Sequence, residues 1–157
     1  MPFKITRARV VILIGIVPVL AIGTWTFIAW DWVTASHARP GDAARAFEAA
    51  RQAHAGDSPV VTLEDGAIVR RPPPDAPRGA PSELLVLVYH RSTGRLIRAE
   101  VPFWFLRMKG PASERLLRGA GIDLQEFGLA VDDLARYGPS LVFDGERGED
   151  RVLLVTR

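Results

Sequence analysis

The sequence predicts an α+β protein: an N-terminal single transmembrane helix followed by a small domain of antiparallel β-hairpins with short helices. Three observations carry this. Residues 10–30 are an uncharged apolar run. Beyond residue 58, short alternating or apolar segments are joined in pairs by turn-forming residues. Between the last two pairs the pattern shifts to brief helical stretches closed by Gly and Pro. A chain of 157 residues accommodates one ordinary domain plus an appendage.

The apolar run reads VVILIGIVPVLAIGTWTFIAW. At about 1.5 Å per residue it makes roughly 31 Å of helix, against a bilayer core of about 30 Å. Trp25, Trp30 and Trp32 gather at its far end, where indoles favour the membrane interface, and Asp31 marks the exit into water. Pro18 removes a backbone donor near the middle and predicts a kink. Residues 10–32 are therefore expected to partner the lipid bilayer. Lys4, Arg7 and Arg9 make residues 1–9 a basic flank that stays cytoplasmic under the positive-inside rule, although Arg39, Arg45 and Arg51 oppose it from the other side. A cleavable signal peptide, with Ser36 and Ala38 as a processing site, calls for an apolar region of only about 7–15 residues. Gly15 and Gly23 lack the GxxxG spacing of a helix-pairing motif. The expected location is a bacterial-type inner membrane, N-terminus in the cytoplasm, domain outside it.

Composition excludes several chemistries. The chain has no Cys, hence no disulfide, thiolate nucleophile, Cys-ligated zinc or iron–sulfur cluster. The net charge is +2, but beyond residue 33 there are 17 Lys+Arg and 17 Asp+Glu, so the basic balance belongs to the N-terminal flank and does not point to nucleic acid. Charge is nevertheless uneven: residues 67–118 carry ten basic and four acidic groups, and residues 119–157 four and eight. Complementary packing inside one domain accounts for this. Attraction of the basic half to anionic headgroups through a short tether is the alternative.

Residues 33–57 are expected to form a tether and an Ala-rich helix over 42–55, with Asp42 as N-cap, Gly56 as stop, and a weak stripe of Ala43, Ala46, Phe47 and Ala50. Residues 58–157 form the domain. Strands 60–63 and 67–70 flank Asp65-Gly66, a type I′ turn dipeptide. Strands 84–90 and 95–101 are expected to pair His90 with Arg95, which opposes Val88 to Ile97, Val86 to Ala99 and Leu84 to Val101 on an apolar face. Leu87–Arg98 and Leu85–Glu100 then make a mixed face. In a third hairpin, Asp144 closes against Arg151, setting Phe143 on Val152 and Leu141 on Leu154. Pro111 suits a first helical position, Asp123 and Glu126 have capping-box spacing, and Gly138-Pro139 closes a helix over 131–137. The proline-rich stretch 71–81 is an extended linker.

Motifs for chemistry are sparse. GxGxxG, GxxxxGK[ST], HExxH and GxSxG are all absent, and His37, His54 and His90 are isolated. No cofactor, metal site or catalytic residue is expected, and no nucleic-acid partner. Glu100 is expected in a cross-strand ion pair on a solvent face. The run VPFWFL at 101–106 is read as a strand end covered on both faces, with Trp104 in the core. The competing reading makes Trp104 a surface anchor, with Arg98, Arg107 and Lys109 as its basic neighbours. These four are the candidate interaction residues. The expected function is a non-catalytic, membrane-anchored interaction module with an unidentified protein partner. The alternatives are an accessory subunit of a membrane complex, or an Asp/Glu acid–base enzyme marked by a cleft with convergent carboxylates.

Overall fold

The computed structural model describes residues 32–64, 66–75, 79–108 and 111–157. The expected transmembrane run lies outside the described residues, and among the described residues no helix is long and apolar enough to cross a membrane. The compact unit Val33–Arg157 is a mixed α+β domain.

Its main sheet has five antiparallel strands in the order β1 (Val33–His37), β5 (Arg95–Pro102), β4 (Glu83–His90), β7 (Asp150–Thr156) and β6 (Ser140–Arg147). A separate hairpin pairs β2 (Val61–Glu64) with β3 (Ala67–Arg70) around Gly66, whose φ of 78° is the left-handed geometry that the turn demands. Among the described residues four helices complete the unit: α1 (Pro40–Gln52), α2 (Phe103–Arg107), α3 (Pro111–Gly119) and α4 (Val131–Tyr137), with a 3-10 turn at Leu124–Phe127.

The central hairpin has the register expected from its apolar sorting: His90 opposes Arg95, Val88 Ile97, Val86 Ala99 and Leu84 Val101. The second face differs from expectation. Leu85 and Leu87 oppose Glu100 and Arg98 as the register requires, yet both leucines are fully buried. The cover is α1, whose Ala43, Phe47 and Ala50 pack on Leu85, Leu87, Tyr89, Leu141, Leu153 and Val155. The apolar stripe of α1 is the expected one, but its start is not. Pro40 opens the helix after Arg39, because a fixed φ and a missing N–H suit the first helical position, and Asp42 sits in the first turn, paired with Arg45.

Two further expectations are corrected. The stretch read as a tether contains β1, an edge strand pairing Val33 with Ala99 and His37 with Arg95. Its residues are largely exposed, so no apolar alternation announces it. The third hairpin is longer than expected and turns at Gly148-Glu149, with Arg147 opposite Asp150. Phe143 faces Leu154 and Leu141 faces Val155, because a bulge lies between Leu141 and Phe143. A regular strand would place both side chains on one face. The bulge sends Leu141 to the α1 side and leaves Phe143 to stack on Phe127, ring centroids 4.9 Å apart. A Cβ at Gly145 would lie 2.9 Å from the tip of that ring, so glycine keeps the space it occupies.

Helices α3 and α4 fall where Pro111 and Gly138-Pro139 place them. Asp123 caps the 3-10 turn by accepting from Gln125 N–H at 3.0 Å, while Glu126 leaves the expected box and pairs with Arg147.

The register makes Val88, 1 % exposed, a core residue. Val88→Asp should cost about 4 kcal/mol or more, enough to unfold a domain of this size. Ser92→Asp in the exposed turn should change stability by about 0.5 kcal/mol at most. Thermal unfolding of the two variants checks this; equal melting temperatures would refute the register.

Candidate functional site

Pro102 ends the ladder of β5, and the chain turns at once into α2. At about 100° per residue, a helix starting at Phe103 directs residues 104, 107 and 108 into one arc about 100° wide. Met108 caps the helix: its N–H donates to Trp104 C=O at 3.2 Å and to Phe105 C=O at 3.1 Å, and its ψ of 91° ends the helical path there. Phe103, Phe105 and Leu106 face inward and are buried. Trp104 is 53 % exposed and Met108 47 %, and Arg107 is exposed on the other flank of Trp104. The Trp104 ring stands edge-on to Phe105, centroids 6.0 Å apart at 87°. Burial of Trp104 is thus corrected: the expected strand end covered on both faces is instead a helix, and its rotation turns Trp104 outward.

The structure divides the four candidate interaction residues. Trp104 and Arg107 share α2. Arg98 stands in mid-β5, between Leu87 and Thr34, and its Nε donates to Glu100 Oε1 at 3.0 Å. That pair lies along one strand, not across two as expected for Glu100. Lys109 lies outside the described residues.

Other polar groups are engaged within the domain. The basic and acidic halves of the chain meet: Arg70 reaches Asp133 at 2.7 Å, His90 Nδ1 lies 2.8 Å from Asp150, and Arg91 pairs with Glu146. His54 Nδ1 lies 3.2 Å from Asp57, and its side chain is only 10 % exposed. Among the described residues no cluster of three or more His, Asp and Glu is placed to hold a metal ion. A cavity of about 280 Å³ opens between α3, the 3-10 turn and the start of α4, with Leu117, Ile122 and Leu129 in its lining. Its two carboxylates are already committed, Glu114 to Arg118 at 3.2 Å and Asp123 to the turn it caps.

Sequence reasoning missed the strongest polar cluster, which joins the small hairpin to α4. Arg70 Nε donates to the Tyr137 hydroxyl at 3.0 Å, and its guanidinium lies 5.5 Å from that ring centroid. The Tyr137 hydroxyl donates to Arg71 C=O. Asp133 also accepts from Ala130 N–H at 2.9 Å, capping α4. The Arg70 guanidinium, then the Ala130 N–H, hold the Asp133 carboxyl below its ordinary value, and Asp133 and Tyr137 raise that of Arg70. The spacing of 63 residues left this pair no local signal.

No protein-family model, no curated protein and no solved structure gives a significant match to this chain. Geometry alone defines the class: an α+β domain on a five-stranded antiparallel sheet, with an exposed aromatic–thioether–guanidinium patch on a short helix.

Because the folded carboxyl of Asp133 is the stronger acid, its stabilisation is complete above the unfolded value, near 3.8, and is lost as pH falls through the lower folded one. Asp133→Asn should destabilise by about 1 kcal/mol at neutral pH, a figure kept small by partial exposure. Its deficit against wild type should shrink below about pH 4 in paired thermal scans. A deficit independent of pH would contradict a carboxylate role.

Proposed function

We propose that the chain is a single-pass membrane protein whose domain is a non-catalytic binding module, with α2 as its contact element. The observation that carries this is the outward arc of Trp104, Arg107 and Met108 on a helix whose other residues are core. An indole and a thioether joined by a guanidinium offer apolar area and charge together, the composition of contact surfaces. The anchor rests on the uncharged run at 10–30. Retention of that anchor is supported by β1: removal of the chain through Ala38 would strip an edge strand from the sheet. The bacterial-type envelope location follows from the anchor and the basic flank.

A benzophenone residue placed at position 104 of the full-length protein in its own membrane should give photo-adducts with protein or lipid. The same residue at position 92, in the distal turn, should give far fewer. Equal yields at the two positions would sink α2 as the contact element.

Orientation is tested separately. Protease added outside cells with a permeabilised outer layer should cut the linker near Arg71, and inverted vesicles should protect it. The reverse pattern would place the domain in the cytoplasm.

A further inference from the structure

The sheet has two unlike ends. At one lie the turns Arg91–Gly94 and Gly148-Glu149, with the pairs His90–Asp150, Arg91–Glu146 and Arg147–Glu126. This end is occupied by mutually paired charges. The other end is fixed by the registers Val33↔Ala99, Glu83↔Pro102 and Leu84↔Thr156. Val33, where the chain arrives from the apolar run, and Pro102, from which α2 springs, therefore share one end of the sheet. Phe103 N–H donates to Ser82 C=O at 2.8 Å, which fixes α2 there.

We infer that α2 contacts the bilayer interface itself, with Trp104 and Met108 among the headgroups and upper acyl chains and Arg107 on anionic phosphates. This deepens the proposed function and rests on its membrane anchor. The occupant follows from chain connectivity. Only Asp31 and Trp32 separate the end of the run at Trp30 from β1. Two residues of extended chain reach about 7 Å, so the chain that leaves a span over 10–30 enters the sheet at the end bearing α2 without a free tether. The chemistry suits that depth: Trp favours the interfacial zone, and exposed Met adapts to irregular apolar surroundings. Among the described residues Arg107 makes no ion pair, whereas Arg98 and Arg157 are matched by Glu100 and Glu83. Lys109, two positions on, adds a second cation in sequence. Three side chains make a weak contact when free in solution. Tethering raises their effective concentration to about the millimolar range, where weak contacts persist.

The test uses the full chain carrying Trp25→Phe, Trp30→Phe and Trp32→Phe, which leaves Trp104 as its sole tryptophan. It is reconstituted into phosphatidylcholine–phosphatidylglycerol vesicles and into pure phosphatidylcholine vesicles. In the mixed vesicles, Trp104 emission should be quenched severalfold by lipids brominated high in the acyl chain and resist aqueous acrylamide. Arg107→Glu should weaken the bromolipid quenching in the anionic vesicles and leave it nearly unchanged in the neutral ones. High salt should act like the substitution, because the screening length falls from about 10 Å at 0.1 M to about 3 Å at 1 M. Acrylamide quenching without bromolipid quenching overturns the inference, and so does protection from both. Either of those results together with protein adducts at position 104 leaves the binding module standing without its lipid contact. Absence of any adduct at 104 removes both.

Discussion

Leu84, Leu85, Val86 and Leu87 are wholly shielded from solvent, although consecutive residues of a strand point to opposite faces. β4 therefore requires cover on both sides, and the rest of the domain supplies it. α1 lies over the Leu85–Leu87 side through Phe47 and two alanines. On the other side Gly121 approaches Val88, and Phe127 stacks on Phe143. β5 and β7 take up both of its edges. Small residues in α1 serve this arrangement, since Ala43 and Ala50 let the helix approach the sheet while Phe47 fills the space between.

Polar groups mark the joints between these layers. Asp144, with a side chain 9 % exposed, lies 3.3 Å from Arg51 of α1, and Arg151 lies 5.0 Å from the Phe47 ring centroid. The Arg70–Asp133–Tyr137 cluster does the same for the small hairpin, whose β3 is exposed throughout and brings little apolar burial of its own. Thr156, fully buried, donates to Gly138 C=O at 2.7 Å and accepts from Ser140 N–H at 3.0 Å, so its hydroxyl is satisfied where β6 begins. Arg70–Asp133, His90–Asp150 and Arg91–Glu146 join the basic residues of 67–118 to the acidic ones of 119–157.

Against that background α2 stands out. It is only five residues long, yet it contributes three buried side chains to the core and presents Trp104 and Arg107 on its other side. Rotation of about 100° per residue permits both roles in so short a segment; a strand of the same sequence would have put Leu106 on the same face as Trp104.

By itself the sequence determined what local rules govern. The turn at Gly66, the register from His90–Arg95 to Leu84–Val101, the start of α3 at Pro111 and the stop at Gly138-Pro139 all depend on neighbouring residues and on side-chain sorting. Only the tertiary structure decided the remainder. β1 is polar and exposed because it is an edge, so its pairing with β5 leaves no periodic trace. The burial of Leu85 and Leu87 depended on where α1 docked. The bulge after Leu141 gave the two faces one side chain each, against the regular alternation assumed from sequence. Trp104 was decided by a change from strand to helix at Pro102, and the grouping of α2 with Val33 by strand order. Period and turn chemistry are properties of a few consecutive residues, whereas burial and juxtaposition belong to segments that meet only when the whole sheet has formed.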